Sequence, residues 1–208
     1  MKVLLLNGSP KPRGCTYTAL ERVAQALEEE GIQTEILHVG GKNYGGCTGC
    51  GNCGKTGRCI YEDGVNRAAA LLDEADGVVF GSPVHYAAPS ATMMGVMHRL
   101  AISAGAKLRH KPAACVVSAR RGGTTAALEV LNKVPQFLEM PLVSSQYWPM
   151  VHGSNPQQVQ QDQEGLQIMD RLGRNMAWML KCIQAGKEAG VNPPAPRPSV
   201  RTDFYKEL

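Results

Sequence analysis

Four cysteines, Cys47, Cys50, Cys53 and Cys59, follow one another in the pattern C-x2-C-x2-C-x5-C. Two-residue gaps let successive thiolates converge on one inorganic core, and Gly46, Gly49, Gly51, Gly54 and Gly57 permit the tight winding this needs. The chain has seven cysteines, an odd count, and no secretory signal is read ahead of them. A disulfide framework is therefore not expected, and the chain is placed in the cytoplasm, where such crowding points to metal, cluster or redox chemistry. Three readings of the loop stay open: a bound cluster, a thiol-rich loop with nothing bound, and zinc. Zinc fits less well, because it favours two ligand pairs separated by a longer spacer. Cys115 and Cys182 read as small buried apolar residues instead.

A second constellation is GSPKPRGCTYT, Gly8 to Thr18, between an apolar run and a helical pattern. Free backbone N–H groups and the helix dipole favour an anion at such a junction, and Ser9, Thr16 and Thr18 add hydroxyls. The segment is not a Walker A loop, since Cys15 and Thr16 follow Gly14 where Lys and Ser/Thr are required, and it lacks the dinucleotide glycine spacing. An ATPase and a Rossmann NAD site are disfavoured, which leaves a mononucleotide phosphate; the alternative is a plain helix cap. Two further loops carry matching chemistry. Pro83, Val84, His85 and Tyr86 form a proline-fixed turn with flat side chains suited to a planar ring. Ala119-Arg120-Arg121-Gly122-Gly123-Thr124, which follows Ser118, combines glycines that admit a close ligand with two cations that could stabilise developing negative charge. No G-x-S-x-G turn is present, the histidines are scattered, and no cysteine has an assignable His–Asn/Asp pairing, so hydrolysis is not expected.

These loops need elements to hold them. Lys2 to Leu6 reads as a buried strand, followed by a helix capped by Thr16 or Thr18, with Leu20, Val23, Ala24 and Leu27 on its apolar face and its end at Gly31. Ile32 to Val39 alternates as a second strand. Gly40 to Asp63 has no usable period and is read as a functional loop. Asp63 then caps a helix to Ala75, Gly77 to Gly81 is a strand, and Ser90 to Ala104 a helix. Pro112 to Ser118 is a strand, Thr124 to Val134 a helix, Leu142 to Ser145 a last strand, and Gln157 to Lys187 one long helix. Strands alternating with helices imply βαβ units: a doubly wound α/β domain with a five-stranded parallel sheet. Ligands then bind beyond the carboxyl ends of the strands, among the loops after Leu6, Gly81 and Ser118.

Composition sets the outer limits. The 208 residues, 43% hydrophobic and 19% charged, suit one globular domain and exclude wholesale disorder. The Pro-rich stretch 190–208, with Pro193, Pro194, Pro196, Pro198, Phe204 and Tyr205, reads as an extended arm. No apolar run is long enough for a membrane span. A net charge of +4 does not imply nucleic acid. Between Gly77 and Leu128, however, there is no acidic residue, whereas Arg99, Lys107, Arg109, Lys111, Arg120 and Arg121 all fall inside. Positive potential suited to an anionic ligand is expected there, against the alternative of scattered solvated cations.

Gly8-Ser9-Pro10, the turn from Gly14 to Thr18, and Gly81-Ser82-Pro83-Val84-His85-Tyr86 together resemble the NADPH-dependent FMN reductase family, over roughly residues 1 to 185. The resemblance implies a flavodoxin-like sheet of strand order 2-1-3-4-5, with the Cys-rich loop after the second strand and an FMN-binding domain over 1–189. It implies that Ser9, Arg13, Cys15, Thr16 and Thr18 hold the FMN phosphate, with Cys15 standing where Asn or Ser is common. Pro83, Val84, His85 and Tyr86 would line the isoalloxazine edge, His85 replacing a usual Tyr. The cysteine motif resembles that of iron–sulfur flavoproteins, which implies a [4Fe–4S] cluster on Cys47, Cys50, Cys53 and Cys59. The expected activity is hydride transfer from NAD(P)H to FMN, with electrons leaving through the cluster, to a small acceptor or to a redox protein. An electron-transfer or metal-binding module without nicotinamide activity is the alternative. A homodimer or homotetramer completes the flavin site in the resembling family, with no nucleic acid or membrane partner implied.

Overall fold

A computed structural model of the chain describes residues 1–42, 44–195, 200 and 202. It is an α/β sandwich in which the β-strand Lys2–Asn7 (β1) is followed by the helix Cys15–Glu29 (α1) and the strand Gln33–His38 (β2). Two helices come next, Asn52–Thr56 (α2) and Gly64–Leu71 (α3), then the strand Gly77–His85 (β3) and a two-residue strand Ala88–Pro89 (β4). The helix Ala91–Leu108 (α4), the strand Ala113–Ala119 (β5), the helix Thr124–Phe137 (α5) and the strand Met150–His152 (β6) complete the sheet region. Pro156–Gln161 (α6) and Gln163–Glu188 (α7) end the regular structure.

The sheet runs β2-β1-β3-β5-β6, all parallel, and β4 pairs antiparallel with the end of β3. The order differs slightly from the expected 2-1-3-4-5: the short β4 is added beside β3, and the fifth parallel position is taken by Met150–His152. β1 and β5 are apolar on both faces because both faces are covered, as a parallel sheet requires. Leu4, Leu6, Val78, Phe80 and Cys115 point to a core shared with α3, α4 and α5. Val3, Leu5, Val79, Ala114 and Val116 point to one shared with α1 and α7. Each fully buried Leu of this kind contributes on the order of 1.5–3 kcal/mol.

Several expectations need correction. The final strand is Met150–His152 and not Leu142–Ser145; Leu142 makes only an isolated bridge to Ala113. This edge pairs on one side alone, so after Val143 donates to Ala113 O the chain leaves β5 and returns only where Pro149 O accepts from Val117 N. The long terminal helix is two helices, split at Asp162, whose carboxylate accepts from Gly165 N and caps the second. The first helix is capped by neither Thr16 nor Thr18: its N-cap is Gly14, with no side-chain cap. α2 sits inside the stretch read as irregular. Cys182 is exposed on α7, whereas Cys115 is buried as expected. Phe204, Tyr205, Pro196 and Pro198 of the expected arm lie outside the described residues. Among the described residues, no helix is long and apolar enough to cross a membrane.

The tightest helix contact is between α1 and α7, where a Cβ on Gly173 would lie 2.7 Å from both Val23 O and Ala26 Cβ. Overpacking costs about 1–3 kcal/mol. Gly173→Val should therefore lower the unfolding free energy by about 2 kcal/mol in urea titrations, with an unchanged m-value.

Candidate functional site

The chain leaving β1 is folded back on itself by buried Asn7, whose Nδ2 donates to Pro12 O at 3.0 Å while its Oδ1 accepts from Ser9 N at 3.1 Å. Ser9 Oγ accepts from Lys11 N, and its own proton remains free to donate. The Thr16 and Ser118 hydroxyls bond each other at 2.8 Å, joining the first loop to the end of β5. The Thr18 hydroxyl donates back to Gly14 O at 3.3 Å. Both threonines are therefore spent on structure. Among the described residues no acceptor is recorded for the N–H groups of Cys15, Thr16 and Tyr17, so the start of α1 presents three unpaired donors. Cys15 Sγ lies 3.5 Å from Gly153 O, beyond the end of β6, and burial raises the thiol pKa, keeping it a protonated donor there. Arg13 is exposed, with its guanidinium 5.7 Å from the Tyr17 ring.

The three strand ends converge as expected. Gly8 N donates to Gly81 O at 2.8 Å, and the Ser90 hydroxyl, at the start of α4, donates to Gly8 O at 2.9 Å. Ser82 Oγ accepts from Ser90 N at 2.9 Å. Pro83, Val84, His85 and Tyr86 continue β3 into a two-residue hairpin with β4, turned at Tyr86 (φ 51°) and Ala87 (φ 60°). Positive φ at both central positions is the I′ geometry, costly for non-glycine residues, and it aims Tyr86 into solvent: its side chain is fully exposed. Gly123 (φ 83°) packs on this hairpin so closely that a Cβ would lie 2.8 Å from Ala87 Cα. Gly122, Arg120 and Arg121 are exposed beside it, and α5 starts from Gly123 with no side-chain cap. By contrast, Asp63, Ser90, Asn155 and Asp162 cap α3, α4, α6 and α7.

The acid-free stretch is less positive than its composition implies. Arg99 pairs with Asp63, Lys107 with Asp73 and Arg109 with Glu139, while Lys111 Nζ donates to Leu72 O and Ala75 O. Acids and carbonyls from outside the stretch thus neutralise or occupy four of its six cations. Among the described residues, Arg120 and Arg121 alone of the six have no recorded partner, and both stand at the rim.

The four cysteines of the motif are free thiols lining one cavity of about 210 Å³, together with Tyr61, Arg99 and Ile102. Cys47 and Cys50 are exposed. Cys53 rides on α2, between left-handed Gly51 and Gly57. Cys59 is the most firmly held: its N–H donates to Asn66 Oδ1 at 3.0 Å, and Asn66 Nδ2 donates to Cys59 O at 2.9 Å. Its sulfur accepts from Arg99 Nη2 at 3.1 Å and Nε at 3.4 Å. Burial lowers the Arg99 pKa, but the hydrogen bonds it donates to Asp63 and Cys59 outweigh it and the net shift is upward. Among the described residues, no three His, Cys, Asp or Glu side chains are grouped closely enough to hold a metal ion. A neighbouring cavity of about 930 Å³ is lined both by Pro10 and Pro12 of the first loop and by Arg58, Asp63 and Asn66 of the cysteine segment.

The family model for NADPH-dependent FMN reductase matches residues 1–155, three quarters of the chain and all three rim loops. The chain belongs to this family. A relative in Methanocaldococcus jannaschii, an iron–sulfur flavoprotein, is 31% identical over 193 residues, covering 88% of this chain and all of that one. The fold is also that of RosB solved with 8-demethyl-8-formylriboflavin-5'-phosphate, at TM-score 0.66 and 17% identity, over 100% of this chain and 97% of that one. A WrbA-like flavodoxin of Agrobacterium tumefaciens gives TM-score 0.62 at 18% identity, over 87% and 97%. The protein is an FMN-dependent oxidoreductase of flavodoxin-like fold.

Within this FMN reductase, sequence reasoning missed the residues that shape the rim without facing a ligand. Asn7 and Gly40 carry no motif of their own, and the bracing bonds of Ser82 and Ser90 are not written in theirs; a Cβ on Gly40 would lie 2.0 Å from Ser9 O. Asn66 and the burial of Arg99 were equally silent, although Asp63 was legible as a cap. Because Thr16 and Ser118 are buried partners, Thr16→Val strands one hydroxyl, which costs about 1–3 kcal/mol. Thr16→Val should lower stability by that amount in urea titrations while Thr16→Ser stays near wild type.

Proposed function

We propose that this reductase takes hydride from NAD(P)H and passes electrons to a small acceptor or through a [4Fe–4S] cluster held by Cys47, Cys50, Cys53 and Cys59. One observation carries the flavin half of the reading: α1, after β1, and α5, after β5, both start without side-chain caps, and the hydroxyls of Thr16 and Thr18 are bonded elsewhere, Thr16 to Ser118 of β5. The unpaired N–H groups of Cys15, Thr16 and Tyr17, with the Ser9 hydroxyl and Arg13, suit a phosphate. Thr16 and Thr18 hold that loop in shape, and Cys15 ties it to Gly153.

Pro83, Val84, His85 and Tyr86, with Ser118, Gly122 and Gly123 packed beside them, offer one edge for a planar ring. Arg120 and Arg121, unpaired and exposed, would attract the phosphates of an incoming dinucleotide and stabilise negative charge at the ring. A bound FMN supplies hydride acceptance and one-electron release; the protein's part is position, charge and exclusion of water. A homodimer or homotetramer would cover the exposed Tyr86 and His85. For the cluster half, the four free thiols around one cavity and the name of the M. jannaschii relative are the support.

The exposure of Cys47 and Cys50 also favours a second reading, a carrier that meets a redox protein without steady-state nicotinamide activity. Measuring FMN, iron, sulfide and zinc in one anaerobic preparation separates the two. Flavin absorbance bleached by NADPH is the expected result; iron and sulfide without bleaching identifies the carrier, and a colourless zinc protein overturns both. Arg121→Ala should raise the NADPH KM about tenfold, the loss of one charged contact of about 1.4 kcal/mol, while FMN stays bound. Equal loss of FMN would remove Arg121 from the dinucleotide site.

A further inference from the structure

We infer that Arg99 is a positioning residue that sets the reduction potential of the group held by the cysteine segment, through its two hydrogen bonds to Cys59 Sγ. The inference rests on the cluster reading above and goes beyond it, to a residue outside the motif. Arg99 is only 3% exposed. One edge of its guanidinium is occupied by Asp63, with Nη1 to Oδ2 at 2.8 Å and Nη2 to Oδ1 at 3.1 Å. The other edge points Nη2 and Nε at Cys59 Sγ, at 3.1 and 3.4 Å. The Tyr61 ring covers the group, 5.1 Å from Arg99 Cζ. A guanidinium forked between two acceptors cannot swing away without breaking both sets of bonds.

The consequence follows from charge. Reducing a thiolate-bound core adds one electron, and N–H donors on a ligand sulfur stabilise the reduced form more than the oxidised one. The contact is screened weakly because the cation is buried. Among the described residues, Cys59 is the one cysteine of the four with a recorded cationic donor. Asp63 offsets the net charge, so the lever is the aimed N–H groups, and removing both members of the pair leaves the total charge of the site unchanged.

The test is a redox titration of the anaerobically reconstituted full chain, followed by electron paramagnetic resonance, with iron and acid-labile sulfide counted in the same samples. Arg99→Met combined with Asp63→Asn deletes the sulfur contacts without stranding a buried charge, and Asn still caps α3. The expected result is about a tenfold fall in the reduced-to-oxidised ratio at fixed potential, ~59 mV for one electron, with iron and sulfide unchanged. Arg99→Lys, which keeps the charge and loses the fork, should shift in the same direction by less, and it decides the matter if the double variant does not fold. An unchanged potential in a fully loaded variant overturns the role of Arg99 and leaves the cluster reading standing. A wild-type chain that takes up no iron and sulfide overturns the cluster reading, and this inference with it.

Discussion

The site depends on how closely backbone approaches backbone where β1 ends. Val39 N and Gly40 N both donate to Asn7 O, and His38 Nε2 bonds Ser9 O at 2.8 Å. A side chain at residue 40 would overlap Ser9 outright. Across the sheet, Gly8 N reaches Gly81 O, and a Cβ on Gly8 would lie 2.7 Å from Met93. The chain after β1 is thus clamped between β2 and β3 before it turns into α1. The orientation of α1, and with it the direction of its free N–H groups, follows from that clamp. The Thr16–Ser118 bond extends the same constraint to β5, so three loops distant in sequence act as one rim.

The helix starts are finished in different ways. Asp63, Asn155 and Asp162 close α3, α6 and α7 with their own side chains. Ser90 closes α4 and at the same time donates to Gly8 O, so a cap on the middle strand becomes a brace for the first. α1 and α5, like the short α2 of the cysteine segment, start without a side-chain cap. An uncapped helix start costs about 1 kcal/mol of local stability. Here the core absorbs that loss: α1 buries Leu20, Val23 and Leu27, and α5 buries Leu128 and Leu131. Ion pairs with Asp63, Asp73 and Glu139 tie up Arg99, Lys107 and Arg109 and leave Arg120 and Arg121 unengaged at the rim.

The strands and the first loop were legible because a parallel sheet covered on both faces writes short continuous apolar runs, each ended by Gly, Ser or Pro. The edge was not. A strand paired on one side needs no such run, so Leu142–Val143 looked as strand-like as Met150–Val151. Only the position of the hydrogen bonds from Ala113 and Val117 separates them. Capping by Thr16 or Thr18 was a sound local inference overridden by tertiary partners, since a hydroxyl is satisfied equally well by Ser118 or by Gly14 O. Arg99 was unreadable for a different reason. In the sequence it is one cation on a helix that also carries Lys107, and nothing marks it as buried until Asp63 and Cys59 are brought to it across the fold.

That burial is hard to explain as a stabilising device. Desolvating a guanidinium and a carboxylate consumes most of what their attraction returns, and apolar residues of similar volume commonly do as well or better. Asp63 also does not need Arg99 to cap α3, because the cap uses Val65 N. Nor does the segment need Arg99 to fix its backbone there, which Asn66 already does through bonds to Cys59 and Tyr61. What the pair adds is a fixed pair of N–H groups pointed at one sulfur in a cavity shared with three other thiols. Seen from the other side, Asp63 lines the cleft that Pro10 and Pro12 of the first loop also line. The ion pair therefore stands between the cysteine cavity, which Arg99 lines, and the cleft beside the phosphate loop, which Asp63 lines.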